Sequence, residues 1–186
     1  MKHQRLELST GTIDVFDDFL PLHLRSRMSY WLHGDCGYFI GWADRHGEQK
    51  HLHAVLSKEN EMSADIYKEI MKQPPLIDRL SNHNMYRNVI NLSHQSSIHM
   101  VHAHSDTEKV ILYYAALEWE DHWEGETMFF AEDGEIEFVN KYVPGRVIVF
   151  DGQMPHTIRA PSHAGPQFRL TATWFMEKMN EPTTET

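Results

Sequence analysis

The pattern of apolar and polar residues divides the chain into a first half with helical segments and a second half of short strand-like segments. In the first half, Pro21 suits the opening turn of a helix, and we predict that this helix covers Pro21–Leu32. Ser63 is a plausible N-cap for a second helix, Ser63–Lys72, which should stop before the next prolines. One or two further helical turns are expected at Leu76–Leu80.

Strand signals flank these helices and fill the second half of the chain. Residues 12–20 predict a strand and a turn, and the turn signal at Asp44-Arg45-His46-Gly47 predicts a hairpin of about 37–43 and 50–56. After residue 84, short apolar segments separated by Gly, Pro and Asp predict six strands: Tyr86–Leu92, Lys109–Leu117, Thr127–Phe130, Ile136–Val139, Arg146–Phe150 and Phe168–Phe175. The expected fold class is α+β, with a β-sandwich or jelly-roll core and N-terminal helices packed outside it.

The length and composition are those of one domain. The chain has 186 residues, and 41% of them are hydrophobic, which is enough for a single substantial core. We expect one domain over residues 1–179, with a helical and hairpin part at 1–84 and a jelly-roll catalytic core at 85–179. Residues 180–186 are expected to form a disordered tail.

Charge and cysteine content limit the classes of partner. The formal net charge of −10 argues against nucleic acid, because proteins that bind it gather lysine and arginine on one face. No apolar run approaches the ~20 residues that cross a bilayer, so no membrane association is expected. A single cysteine, Cys36, suits a reducing compartment. We expect a soluble, cytoplasmic protein.

A candidate metal site begins at His104-Ser105-Asp106, because residues i and i+2 of an extended chain share a face and can reach one ion. With fourteen histidines in the chain, such a motif also arises by chance, and His33-Gly34-Asp35 is a second copy at a probable helix end. The later copy opens the β half and is therefore the better candidate. A third ligand, His156, follows a buried strand and a turn.

Two histidines and one carboxylate leave open positions on an octahedral metal, which is typical of non-haem iron(II) oxygenases rather than of a closed structural zinc site. His102 is an alternative to His104, because His102, His104 and Asp106 would all lie on the same face of a regular strand. We favour His104, since only His104 has the His-x-Asp spacing.

Arg169 is the candidate anchor for an acidic cosubstrate. The turn signal Pro161–Pro166 predicts a hairpin of residues 156–160 and 167–175, and a symmetric register would place Arg169 opposite His156. A guanidinium beside the metal could hold the far carboxylate of a dicarboxylate that chelates the metal. Thr171, on the same face of the strand, could add a hydroxyl.

At these positions the sequence resembles the prolyl 4-hydroxylase-like branch of the 2-oxoglutarate/iron(II) oxygenases, over about half the chain. The matching residues, in order, are His104-Ser105-Asp106, Tyr114, Trp119, Gly125-Glu126-Thr127, Gly145–Phe150, His156, and Arg169 through Trp174-Phe175; the opening Val15–Leu20 is also similar. The sequence departs from the family at Glu124, where a second glycine is frequent, and in a His-to-Arg interval lengthened by Pro161–Pro166.

The resemblance implies a double-stranded β-helix with iron(II) on His104, Asp106 and His156. It also implies 2-oxoglutarate on Arg169, with Tyr114 touching this cosubstrate, and ascorbate as an additional cofactor. The expected reaction is hydroxylation by molecular oxygen, coupled to decarboxylation of 2-oxoglutarate to succinate. Peptidyl or free proline is the first substrate choice. A neutral or basic substrate is expected, since the acidic run Glu118–Glu126 would repel a polyanion.

Two other interpretations are consistent with parts of the pattern. A cupin-like metalloenzyme can use a similar barrel and metal-binding histidines, but it needs no 2-oxoglutarate and no cationic anchor such as Arg169. A binding jelly roll with incidental histidines would bind neither iron nor 2-oxoglutarate. The same oxygenase chemistry on another small metabolite also remains open, because substrate contacts in this class come from variable loops.

Overall fold

The computed structural model describes residues 1–41, 51–57 and 60–179. The helices in these ranges are α1 (Leu22–Gly34), α2 (Glu61–Ile70) and α3 (Pro74–Leu80), with a short 3₁₀ helix at Asp121–Trp123. The strands are β1 (Lys2–Leu8), β2 (Gly11–Asp17), β3 (Phe39–Gly41), β4 (His51–Leu56), β5 (His83–His94), β6 (Glu108–Tyr114), β7 (Thr127–Phe130), β8 (Ile136–Asn140), β9 (Val147–Asp151), β10 (His156–Ile158) and β11 (Phe168–Lys178). Within the described ranges, no helix has the length and apolar character needed to cross a bilayer.

The strands form two antiparallel sheets. The larger sheet has eight strands in the order β1-β2-β9-β6-β11-β5-β4-β3, and the smaller one has three in the order β10-β7-β8. Strands from the first part of the chain, β1 to β4, therefore extend the same sheet as strands from the second part. This is the α+β arrangement expected from the sequence.

The two faces of the large sheet bury different partners. Along β9, Val147 and Val149 pack with the helices, whereas Ile148 and Phe150 pack with Phe129 of the small sheet. This alternation follows from the pleat of a strand, which points successive side chains to opposite faces. The helices thus cover one face of the large sheet and the small sheet covers the other, and we use the term inner chamber for the region between the two sheets.

The N-cap of α2 is not the predicted Ser63. The cap of α2 is Asn60, whose side-chain Oδ1 accepts a hydrogen bond from the Ser63 backbone N–H at 3.1 Å. Ser63 lies inside the first turn instead, and its hydroxyl accepts a hydrogen bond from Trp174 Nε1 at 3.0 Å and another from Asn88 Nδ2. An asparagine one turn earlier thus caps the helix, and the serine ties it to the sheet.

The predicted hairpin of 156–160 and 167–175 is wrong. β10 pairs with β7, so that His156 lies opposite Phe129, and β11 pairs with β5 and β6 in the other sheet. Arg169 therefore lies opposite Ser93 rather than His156. The reason is that eight consecutive residues of β11 are buried, and a strand buried on both faces is stable in the middle of a large sheet.

The remaining predicted elements have different outcomes. The hairpin after residue 37 exists as β3 paired with β4, but its turn and the tail at 180–186 lie outside the described residues. The strand β1, which pairs with β2, was not predicted, because its residues are mostly polar and exposed.

We expect Trp174→Ala to lower the free energy of unfolding by about 3–5 kcal/mol, since it removes a large core side chain and leaves a cavity. Trp174 is 0% exposed, packs near Tyr67 and donates the hydrogen bond to Ser63. Urea denaturation followed by circular dichroism measures the loss. Ile77→Ala on α3, where the side chain is 44% exposed, is the control and should cost much less. Equal losses in the two variants would contradict this description of the core.

Candidate active site

Three histidines meet at one end of the inner chamber. One nitrogen from each of His102, His104 and His156 lies within 4.8 Å of the others, so the three could hold one metal ion. The imidazole ring centroids are 4.4 Å apart for His102 and His156, and 5.2 Å apart for each pair that includes His104. His33, from the second His-x-Asp copy, lies on α1 and bonds through Nδ1 to the Ser29 carbonyl.

Backbone pairing brings these residues together. The His102 N–H donates to the His156 carbonyl at 3.0 Å, and the His156 N–H donates to the His102 carbonyl at 2.9 Å. Two residues that exchange both bonds are directly opposed in an antiparallel pair, so their side chains project from the same face. The His104 N–H donates to the Gly152 carbonyl at 2.7 Å, which fixes the next position of the same face.

Hydrogen bonds to carbonyl groups orient two of the rings. Nδ1 of His156 lies 2.8 Å from the Met154 carbonyl, and Nδ1 of His102 lies 3.2 Å from the Met100 carbonyl. Because a carbonyl only accepts, each Nδ1 must carry the proton, and in a neutral ring the lone pair is then on Nε2. This is how proteins usually orient a histidine that binds a metal through Nε2.

The surroundings of His156 favour its neutral form. Burial lowers the pKa of His156 well below its ordinary value, and the neighbouring His102 and His104 lower it further. The rings of Phe129 and Phe150 lie 5.9 Å and 4.8 Å from the His156 ring. His156 therefore has an apolar wall on one side and presents neutral imidazole, the form that binds a metal.

Asp106 is not part of this group of three. It is exposed and follows Ser105 in a turn closed by a hydrogen bond of 3.1 Å from the Glu108 N–H to the Ser105 carbonyl. The Ser105 hydroxyl also donates to the Asp106 carboxylate at 3.4 Å. The structure thus brings His104 and His156 together with His102, which the sequence offered as an alternative to His104. The role of Asp106 as a ligand stays a prediction.

Arg169 lies inside the chamber with its side chain 0% exposed. Its Nε donates to the Gly125 carbonyl at 2.7 Å, and its Nη2 donates to the Thr127 hydroxyl at 3.1 Å. The guanidinium carbon is 5.5 Å from the ring centroids of Tyr114 and Tyr142. Nη1 is buried and has no hydrogen-bond partner among the described residues.

This guanidinium is buried without an ion pair in the described part of the chain. Burial lowers the pKa of Arg169, while Tyr114, Tyr142 and Glu126 act in the opposite direction. An arginine nevertheless remains protonated in proteins, and a buried charge without a counter-charge is costly. An anion in the chamber would supply the missing charge and accept the bond that Nη1 can donate.

The strand β7 connects the histidine cluster to Arg169. Phe129 lies opposite His156, whereas Thr127 contacts Arg169, and both β7 residues are buried. They are two positions apart, so they share a face and are separated by about 7 Å along the strand. The histidine cluster and the Arg169 guanidinium are thus next to neighbouring inward positions of one strand.

Tyr114 and Thr171, the other predicted cosubstrate contacts, lie near this anchor. The Tyr114 hydroxyl is 2.7 Å from the Thr127 hydroxyl and accepts a hydrogen bond from Asn140 Nδ2 at 2.6 Å. Burial raises the pKa of Tyr114, which keeps the hydroxyl protonated. Thr171 is buried on the same face of β11 as Arg169. Their contacts with a cosubstrate stay predictions.

The loop before β7 explains the glycine of the Gly125-Glu126-Thr127 run. Gly125 has a φ of +88°, and an added Cβ would lie 2.8 Å from the Trp119 ring. A side chain would therefore displace the Gly125 carbonyl that holds Arg169. Glu124 also has a positive φ, 63°, at the position where the similar family often has glycine. Its carboxylate pairs with Arg159 at 2.7 Å.

Sequence reasoning missed several residues that shape the anchor. Asn140 is the last residue of β8, and Tyr142 lies between β8 and β9. The Tyr142 hydroxyl donates a hydrogen bond to the Leu170 carbonyl at 2.7 Å. No local pattern marks them, because their role depends on how β8 folds back onto β11. His102 carried a signal, since it has the same strand parity as His104.

Comparisons with known proteins agree on the fold. No family model matches the chain, and a search of curated proteins finds no match. A prolyl hydroxylase from Trichoplax adhaerens, solved with a hypoxia inducible factor oxygen degradation domain peptide, has a TM-score of 0.69 at 12% identity, covering 89% of this chain and 83% of that chain. A Pseudomonas putida prolyl-4-hydroxylase has a TM-score of 0.67 at 16% identity, covering 90% and 93%.

A third similar structure contains a metal ion and 2-oxoglutarate. HygX from Streptomyces hygroscopicus, solved with nickel and 2-oxoglutarate bound, has a TM-score of 0.65 at 11% identity, covering 91% of this chain and 83% of that chain. These identities are low, but the matches extend over nearly the whole chain. The chain therefore has the double-stranded β-helix fold of the prolyl 4-hydroxylases and other 2-oxoglutarate/iron(II) oxygenases.

Proposed function

We propose that this protein is an iron(II)- and 2-oxoglutarate-dependent dioxygenase that hydroxylates a C–H bond of its substrate. The observation that carries the proposal is the buried Arg169 guanidinium, whose Nη1 has no hydrogen-bond partner in the described part of the chain. It lies in the same chamber as three histidines that could hold a metal ion. A metal and a distant cation together suit a ligand that chelates at one end and carries a carboxylate at the other.

The residues present fit an iron(II) site. His104 and His156 would bind the metal together with one further ligand from the same segment, either His102 or Asp106. Three protein ligands leave positions for the 2-oxo acid and for oxygen. Bound iron supplies the oxygen activation that couples oxidative decarboxylation of 2-oxoglutarate, to succinate and carbon dioxide, to substrate hydroxylation. Ascorbate, as a reductant that keeps iron in the ferrous state, belongs to the same proposal.

The remaining side chains orient the cosubstrate and keep water out. Arg169 would hold the far carboxylate through Nη1, while Gly125 and Thr127 hold the guanidinium in position. The Phe150 and Phe175 rings lie 4.8 Å from His156 and 5.1 Å from His104, and this apolar lining limits access of water to the metal.

The Arg169 anchor favours this proposal over a cupin-like metalloenzyme. A metalloenzyme without a dicarboxylate cosubstrate has no use for a buried guanidinium and would bear its desolvation cost without benefit. Arg146 and Arg159 are less suited to this role, because each is already paired with a carboxylate. Arg146 makes two bonds of 2.8 Å with Asp17, and Arg159 pairs with Glu124 at 2.7 Å.

For the substrate we propose a prolyl residue in a peptide or protein, or free proline, in a neutral or basic context. The net charge of −10 and the acidic residues at 118–126 support this choice, because they disfavour polyanions near the chamber. Similarity of fold to two prolyl hydroxylases supports it as well. Another small metabolite is the second candidate.

We expect Arg169→Ala to weaken 2-oxoglutarate binding by about 2–5 kcal/mol, or roughly 30-fold to a few thousandfold, because it removes a desolvated charge-assisted contact. Arg169→Lys should recover only part of this loss, since an ammonium lacks the planar fork. Anaerobic calorimetric titration of the metal-loaded protein measures both.

A ligand without the far carboxylate makes this test specific. Binding of 2-oxopentanoate should be nearly unchanged in Arg169→Ala, because this compound has no group for Arg169 to hold. Arg159→Ala is the matched control and should retain 2-oxoglutarate affinity, since Arg159 is half-exposed and paired with Glu124. If Arg169→Ala left 2-oxoglutarate affinity unchanged, the anchor would lie elsewhere.

We expect proline-containing peptides in neutral or lysine-rich contexts to gain one oxygen when the iron-loaded protein receives 2-oxoglutarate and oxygen. Mass spectrometry of a panel of peptides, free amino acids and small metabolites would follow substrate-dependent succinate and the oxidised product. Hydroxylation of an anionic metabolite such as a nucleotide, with no product from proline peptides, would contradict the substrate proposal. A lack of 2-oxoglutarate turnover with every compound would count against the oxygenase proposal.

A further inference from the structure

We propose that Asp151 is a positioning residue of the metal site, which it supports through the turn at residues 151–154. Its carboxylate fixes this turn, and main-chain carbonyls of the turn hold His104 and His156. The inference rests on the proposed function for the identity of the metal. The support of the two histidines depends only on contacts within the protein.

One turn contacts both histidines. It is closed by the hydrogen bond from the Met154 N–H to the Asp151 carbonyl at 3.1 Å. The Gly152 carbonyl accepts the bond from the His104 N–H at 2.7 Å, and the Met154 carbonyl lies 2.8 Å from Nδ1 of His156. A displacement of this turn would therefore move the backbone of one histidine and the ring of the other.

Gly152 allows the turn to lie against the segment that carries His104. The Gly152 N–H donates to the Glu108 carbonyl at 2.9 Å. An added Cβ would lie 2.7 Å from the Ser105 carbonyl oxygen and 2.9 Å from Glu108 Cβ, so even alanine would push the two backbones apart. Because the turn and this segment are in such close contact, a shift of one is transmitted to the other.

The connection between β1 and β2 holds the turn in place. The Thr12 N–H donates to Oδ2 of Asp151 at 2.9 Å, and Gln153 Nε2 donates to the Thr10 carbonyl at 3.1 Å. The approach is close, since a Cβ added to Gly11 would lie 3.1 Å from the same Asp151 oxygen. The N-terminal hairpin, which contributes the unpredicted strand β1, is thus part of the support for the histidines.

Two cations bind the same carboxylate. Lys109 Nζ donates to Oδ1 of Asp151, and Arg79 Nη2 lies 3.3 Å from that oxygen. Arg79 comes from α3, is only 7% exposed, and also pairs with Asp14 at 2.9 Å. Burial acts to raise the pKa of Asp151, but hydrogen bonds from Lys109 and Thr12 outweigh it and lower the pKa. The carboxylate is therefore ionised at neutral pH and is bound from β2, β6 and α3 together.

A similar pair at the other end of the same two strands is the matched control. Asp17 ends β2, Arg146 precedes β9, and their two bonds are each 2.8 Å long. Asp17 is 22% exposed, close to the 20% of Asp151. Since Asp151 ends β9, the Asp17 pair joins the same strands at the end away from the turn.

Metal affinity and amide exchange in matched variants test the inference. Asp151→Asn keeps the size of the side chain and removes its charge, and Asp17→Asn makes the same change in the control pair. The full-length protein is titrated with cobalt(II). Hydrogen exchange of the His104 amide is followed by NMR in the metal-free protein, and urea denaturation measures the stability of each variant.

We expect Asp151→Asn to weaken cobalt(II) binding by ~10–100-fold, the usual cost of losing a group that orients the ligands of a metal. It should also speed exchange of the His104 amide more than exchange of the amides in α2, because the effect is local. Asp17→Asn should lower stability but leave cobalt(II) affinity unchanged. Asp151→Glu, which keeps the charge, should recover part of the affinity. Gln153→Ala, at an exposed side chain, should weaken binding by a smaller factor.

Unchanged cobalt(II) affinity and unchanged His104 exchange in Asp151→Asn would overturn the inference. Equal losses in Asp17→Asn would do the same, because they would show a general effect of stability. If Asp151→Asn does not fold, Gln153→Ala decides, and unchanged affinity in that variant counts against the inference. Cobalt(II) affinities that follow the expected order in a protein without 2-oxoglutarate turnover would contradict the proposed function alone. Persistent turnover with full metal affinity in Asp151→Asn would contradict only the role of Asp151.

Discussion

The interaction on which the chamber depends is the burial of the Arg169 guanidinium without an ion pair among the described residues. Taking a charge out of water is among the most costly steps in folding, and the groups that bond to the guanidinium here are neutral, while the Glu126 carboxylate stabilises it without a direct ion pair. The Gly125 carbonyl and the Thr127 hydroxyl accept two bonds, and the faces of Tyr114 and Tyr142 add a favourable electrostatic contribution. The remaining donor is left for a ligand.

The rest of the fold makes this arrangement possible. The central strand β11 is buried on both faces. Leu170, Ala172 and Trp174 pack on the helical side, whereas Arg169, Thr171 and Phe175 are turned inward. One strand therefore supplies both the Arg169 guanidinium and the Phe175 ring, which lies beside His104. The small sheet closes the chamber, and β7 links the two ends because consecutive inward positions contact Arg169 and His156.

The local sequence pattern predicted most helices and strands, but it did not predict which strands pair with each other. Most helices and strands were placed within a few residues, since capping and punctuation are local signals. The pairing of residues 156–160 with 167–175 was wrong, because periodicity identifies the face of a strand and not the strand beside it. Arg169 nevertheless lies on the inward face of β11, although the register that placed it opposite His156 was wrong, and its role as an anchor stays a prediction.

The metal site shows where sequence reasoning reaches its limit. His104 and His156 were selected from their motifs and lie close together, but whether His102 or Asp106 joins them depends on where the strand ends. The sequence Ser105-Asp106-Thr107 consists of residues that favour turns, so a signal for the turn was present. The main-chain pairing of His102 with His156 had none, because it joins segments more than fifty residues apart in the chain.

The most direct test of this account is an anaerobic crystal structure of the protein with manganese(II) and 2-oxoglutarate. We expect the 2-oxo acid end on a metal held by His104 and His156, and the far carboxylate within hydrogen-bond distance of Arg169 Nη1. A structure in which 2-oxoglutarate binds elsewhere, or in which Arg169 pairs with a carboxylate of the protein while the metal site lacks the ligand, would contradict it.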